Sequence, residues 1–173
     1  WTVMFVRVLV EVAVVNNRLL NILWPSMVLM GGVALAYSLY LYLSQKVLDE
    51  QEFKISNPFE LWPAIKFGLL YALVLLLSKG AQMYLGTRGL YLTSFLSGLA
   101  DVDAITLSLA DLSLSSGGVD LGMAKSSIIL AAISNTIVKG GMVIFLGTKQ
   151  LRKLVWPAFV LIIGTGALSI LLF

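Results

Sequence analysis

The chain has 173 residues, of which 59% are hydrophobic and 12% charged, with a mean hydropathy of +0.95. A soluble domain carries roughly 25% charged residues, and a globule of this size cannot hide so much apolar surface, so an integral membrane protein is expected. Cysteine and histidine are absent, which excludes disulfides, thiolate nucleophiles, zinc fingers, haem ligation by imidazole and a Ser-His-Asp triad.

A spanning helix needs about 20 mainly apolar residues, and six stretches approach this. The first, about residues 2–15, is short. Trp1 rather than Met opens the sequence, with no basic n-region or A-x-A-like cleavage site, so no signal peptide is expected and the chain reads as a processed or truncated piece. The second span, about 24–43, lies in a stretch without charge from Leu19 to Gln45. The longest polar segment, Ser44 to Glu60, is a connecting loop that ends at Asn57-Pro58. The third span, about 62–85, contains Lys66 and Lys79. The fourth, about 90–112, contains Asp101 and Asp103, and a flexible turn with Ser115-Ser116-Gly117-Gly118 follows it. The fifth, about 122–146, contains Lys139, and the sixth, about 154–173, carries no charge. Lipid demands internal backbone hydrogen bonding and no run alternates as a barrel strand would. The fold expected is therefore an all-α, polytopic transmembrane bundle forming one domain over residues 1–173.

Loop charge gives an orientation. Loops 1–2, 3–4 and 5–6 carry Arg18, Arg88, Lys149, Arg152 and Lys153 and no acid, whereas most acids lie in loops 2–3 and 4–5. The positive-inside rule places the first set in the cytoplasm. It also accounts for the net charge of +3 without nucleic acid as a partner, because the basic residues are few and scattered.

A weak repeat links the two ends of the chain. Trp24-Pro25-Ser26-Met27-Val28-Leu29 matches Trp156-Pro157-Ala158-Phe159-Val160-Leu161, and at the same offset Arg7 meets Lys139 and Gly32 meets Gly164. Either Trp-Pro merely marks helix starts, or spans 1–2 and 5–6 are a parallel duplication with a site between the copies.

Ionisable groups within spans cost at least about 2.5–3.5 kcal/mol each at the bilayer centre, so they are paired or face water. Arg7 and Glu11 lie four apart on one helix face and read as a structural ion pair. Lys79 and Lys139 balance the acids. In the fourth span Ser94, Ser97, Asp101 and Ser108 form a stripe of small polar residues, whereas Asp103 points about 200° away from Asp101 on a regular helix. Two acids on opposite faces in lipid are hard to satisfy. The span is therefore expected to break between Gly98 and Asp103, with Asp103 capping a second half-helix. Freed carbonyls at such breaks become ion ligands. Asp101 and Asp103, with oxygens from Ser97, Thr106 and Asn135, make a candidate site for a hard cation, Mg²⁺ being one such ion. In the fifth span Ser134-Asn135-Thr136 and Lys139 lie at similar depth, as a partner of this site or as interhelical polar glue.

Asn57-Pro58-Phe59-Glu60-Leu61-Trp62-Pro63-Ala64-Ile65-Lys66-Phe67-Gly68, then Gly98 to Thr106, then Ser134-Asn135-Thr136 resemble the C-terminal membrane domain of bacterial MgtC/SapB-type proteins, a family catalogued as domain of unknown function number 4010. The resemblance implies a component of magnesium transport or homeostasis in the bacterial inner (plasma) membrane. It also implies N-terminal MgtC-like helices that residues 1–173 lack. The function expected is cation transport or homeostasis, of divalent, Mg²⁺ type. The alternative is a membrane scaffold or regulatory subunit that pairs through buried charges, as a homo-oligomer or with an N-terminal MgtC-like region. An enzyme is not expected, because the two acids share one segment rather than facing each other from two.

Overall fold

The computed structural model describes residues 1–44, 89–114 and 118–172. The third predicted span, with Lys66 and Lys79, lies outside the described residues, as do most of the polar loop before it and Ser115 to Gly117. The described residues form six helices and no strand. These are α1 (Thr2–Val15), α2 (Asn17–Ser44), α3 (Leu90–Ala100), α4 (Val102–Leu112), α5 (Leu121–Leu146) and α6 (Lys149–Leu172). Helices α2, α5 and α6 are long and apolar enough to cross a membrane.

Short polar residues set the helix boundaries. Asn16 adopts an extended conformation after α1, and its Oδ1 accepts hydrogen bonds from the amides of Arg18 (3.0 Å) and Leu19 (3.2 Å) at the start of α2. Thr148 does the same for α6, with Oγ1 accepting from the Leu151 amide at 3.3 Å. Asp120 caps α5 by accepting from Gly122 and Met123. Each supplies a partner to an amide that a helix start leaves unsatisfied.

These caps overturn one reading of the Trp-Pro motifs. Pro25 and Pro157 do not open their helices; each is the ninth residue of one that begins at Asn17 or Lys149. The polar stretches before them, read as loop ends, are the first two turns. The duplication gains support instead. Asn17 and Lys149, 132 residues apart, both begin helices, and the caps at Asn16 and Thr148 share that offset. Both helices bury one face, Ser26, Met30 and Ala34 in α2 and Ala158, Ile162 and Gly166 in α6. Both expose Trp24, Val28 and Leu29 or their counterparts Trp156, Val160 and Leu161.

Helix α5 runs through the middle, packing on α3, α4, α6 and α2. Its buried Ile128, Ile129 and Ala132 join Phe5, Leu23 and Leu109 in one apolar core. Helix α4 packs about equally on α1 and α5, the two repeat-related helices. Helix α3 packs tightly on α5 at Gly98, where a Cβ would stand 2.6 Å from the Ala131 Cα. Only glycine allows this backbone approach.

Candidate functional site

The fourth predicted span is broken. Helix α3 ends at Ala100, Asp101 is extended (φ −151°, ψ 132°), and α4 begins at Val102. The acid that caps α4 is Asp101, not Asp103 as the spacing suggested. Its Oδ1 accepts from the Asp103 amide (3.2 Å) and its Oδ2 from the Ala104 amide (3.4 Å). These are the second and third residues of α4, where an N-cap oxygen reaches, and the carboxylate also faces the positive end of the half-helix dipole. Asp103 sits in the first turn and is thereby free to point elsewhere.

It points at α1. Arg7 Nε donates to Asp103 Oδ1 at 3.0 Å, and Arg7 Nη2 pairs with Asp103 Oδ2, making a two-point contact. The expected Arg7–Glu11 pair is therefore secondary: Glu11 Oε1 stands 3.9 Å from Arg7 Nε. Glu11 also feels Asp103 and Asp101, and its Oε2 is buried with no hydrogen-bond partner. Residues 7 and 103 are 96 apart in sequence, so no local pattern pairs them.

Lys139 does not reach an aspartate. Its Nζ rests 3.6 Å from the sulfur of Met4 on α1, within electrostatic range of Asp101, Asp103 and Arg7. Among the described residues, three acids and two cations thus surround the break, one formal negative charge in excess. The repeat places Arg7 and Lys139 on α1 and α5, the two helices that hold α4.

The oxygen residues divide. Asn135 is buried and its Nδ2 donates to the Gly98 carbonyl at 3.0 Å, leaving Oδ1 without a partner. Ser134 Oγ donates to the Phe95 carbonyl at 2.6 Å. Both tie α5 to α3, and the Gly98 carbonyl lies in the last turn of α3, where helical carbonyls lose their own partners. Thr106 is fully buried on α4 and its Oγ1 also lacks a partner. Ser97 is half-buried, and its backbone carbonyl accepts from the Asp101 amide at 2.8 Å. The predicted polar stripe does not survive the break: Ser94 is buried, whereas Ser108 is exposed and donates to the Ala104 carbonyl. No group of three or more acids among the described residues is arranged as a ready metal cage. Sequence reasoning missed the part of Met4, which nothing in its local sequence signals.

Residues 1–147 match the family described as Domain of unknown function (DUF4010), and the chain belongs to that family. It is 35% identical over 154 residues to an uncharacterized protein of Aquifex aeolicus (strain VF5), a match covering 88% of this chain and 66% of that relative. The chain thus spans just under two thirds of that relative's length. No solved structure matches it.

Proposed function

We propose that this member of the DUF4010 family is a multi-pass inner-membrane protein that handles a small hard cation, of divalent Mg²⁺ type. The observation that carries the reading is the broken span, where, among the described residues, Asp101, Asp103 and Glu11 outweigh Arg7 and Lys139 by one charge. An excess negative charge beside an interrupted helix attracts a cation. The resemblance to MgtC/SapB-type proteins points the same way.

Arg7 acts as a tethered competitor. With no ion, its guanidinium neutralises Asp103; an arriving ion takes Asp103, and Arg7 turns aside. Mg²⁺ keeps several waters and needs only one or two carboxylates, which suits a site without a full cage. Glu11 Oε2 and Asn135 Oδ1 are oxygens with no other partner to lose. Lys139 holds the charge balance from the α5 side.

The test is Mg²⁺ entry into liposomes containing the chain, read by an internal dye. Asp101→Asn is the informative variant, because asparagine caps a helix about as well as aspartate while removing the charge. Uptake by the unmutated chain that is lost in Asp101→Asn and Asp103→Asn, with helicity and elution volume unchanged, supports the reading. Uptake that survives both substitutions refutes it. No uptake by the folded, unmutated chain favours the scaffold alternative, which draws on the intramolecular partners that both aspartates already have.

A further inference from the structure

The contacts give each helix a direction. Arg7 meets Asp103, and Asn16 meets Ser113 and the Ala110 carbonyl, so α4 runs the same way as α1. Helix α2 turns back at Asn16 and sets Gly31 beside Phe5. Helix α6 turns back on α5 in the same way, with Gly166 beside Ile133 and Phe159 beside Gly140. The two hairpins lie antiparallel to each other. On α2, Met30 faces Gly166, and the later Tyr37 donates from Oη to the earlier Leu154 carbonyl on α6 at 2.8 Å. The parallel duplication that the sequence suggested is therefore inverted. Both copies keep the same internal contact: Gly166 sits against Ile133, and their counterparts Ala34 and Trp1 line one cavity. Arg7 and Lys139 keep the same position, one on each copy.

We infer that α1–α2 and α5–α6 are inverted copies, related by a two-fold axis in the membrane plane, and that they rock against each other about the broken span to open its acidic joint to one side of the membrane at a time. Inverted copies around a discontinuous span are a recurrent transporter plan, in which rocking of one copy against the other gives alternating access. Here α1 holds α4 through Asp103, and α5 holds α3 through Gly98. A relative movement of the copies therefore acts on the joint at Asp101. What passes the joint rests on the cation reading. The inversion also sets the sides. Loop 1–2 lies with loop 4–5, whose Ser113 binds Asn16, and opposite loop 5–6, so the two do not share the cytoplasm as their charge alone suggested. Loop 5–6, with Lys149, Arg152 and Lys153 against the single Arg18 of loop 1–2, is the one that the positive-inside rule keeps there.

The chain has no cysteine, so single thiols report sides directly. Asn17→Cys and Gln150→Cys, exposed at the starts of α2 and α6, should react with a membrane-impermeant maleimide from opposite faces of sealed vesicles. Labelling of both from one face overturns the inversion. Ala34→Cys with Ala158→Cys puts one thiol from each hairpin into the cavity between α2 and α6. Joining the two with a short cleavable bis-maleimide should cut Mg²⁺ uptake by liposomes at least tenfold and leave Mg²⁺ binding, read by calorimetry, within twofold. Each single variant should keep its uptake, and cleaving the linker should restore it. Uptake that continues in the linked protein overturns the rocking. An unmutated chain that binds no Mg²⁺ defeats the cation reading and the rocking with it, while the labelling still decides the inversion.

Discussion

Gly98→Ala should loosen the broken span from the rest of the bundle. The added Cβ would stand 2.6 Å from the Ala131 Cα and 2.9 Å from its carbonyl carbon, where carbon atoms prefer about 3.5–4.0 Å. Helix α3 must retreat from α5 by about 1 Å. That retreat stretches the Asn135–Gly98 bond from 3.0 Å and the Ser134–Phe95 bond from 2.6 Å, carrying both to the limit of hydrogen bonding or beyond. Overpacking costs about 1–3 kcal/mol, and two interhelical hydrogen bonds add about 0.6 kcal/mol each in a membrane bundle. The loss expected is about 2–4 kcal/mol, read as a shift in the unfolding midpoint in mixed micelles by circular dichroism. Because the obstacle is backbone, Ala131→Gly should not restore the midpoint. A midpoint within 0.5 kcal/mol of the unmutated protein (roughly the error of such comparisons), or full rescue by Ala131→Gly, would refute the close approach.

Gly140 offers the contrast. A Cβ there meets the Phe159 ring, with Cγ at 3.2 Å, so Gly140→Ala should cost about 1–3 kcal/mol and Phe159→Leu in the same chain should recover part of it, by the same unfolding assay. Asn16→Leu removes the α2 cap and the bonds to Ser113 Oγ (2.9 Å) and the Ala110 carbonyl; a loss of about 1–3 kcal/mol is expected, with faster amide exchange at Arg18 and Leu19. Arg7→Gln and Asp103→Asn, singly and together, should show a coupling of about 0.6–1.7 kcal/mol, the range for polar pairs in membrane bundles. Coupling near zero would mean that the pair contributes nothing to stability.

Much of this architecture was legible because lipid leaves few choices. Length and hydropathy alone locate α2, α5 and α6. The break in the fourth span was legible from Asp-x-Asp, since one helix cannot satisfy acids on opposite faces in lipid. Which aspartate caps was not, because the second residue of the motif is also a favourable first-turn position. The helix starts were misplaced by five to seven residues for a definite reason. Arg18, Asn21 and the Lys149–Lys153 stretch look like loop, yet the Asn16 and Thr148 caps begin helices there. Proline remains tolerable inside, since neighbouring groups in membrane bundles satisfy the freed carbonyl. The Arg7–Asp103 and Lys139–Met4 contacts depend on tertiary packing across 96 and 135 residues, and no local periodicity encodes them.

Helices α3 and α4 have 11 residues each, about 16 Å apiece at 1.5 Å per residue. Laid end to end across a bilayer they would match its roughly 30 Å of hydrocarbon, and the joint at Asp101 would then fall near the electrical midpoint whichever way the chain faces. A full membrane crossing changes the energy of a unit charge by about 2.3 kcal/mol per 100 mV. One reaching this joint from either side therefore traverses half the field, about 1.2 kcal/mol per 100 mV. Occupancy by a divalent ion would feel twice that, which makes the resting voltage of the host membrane a term in how full the joint is.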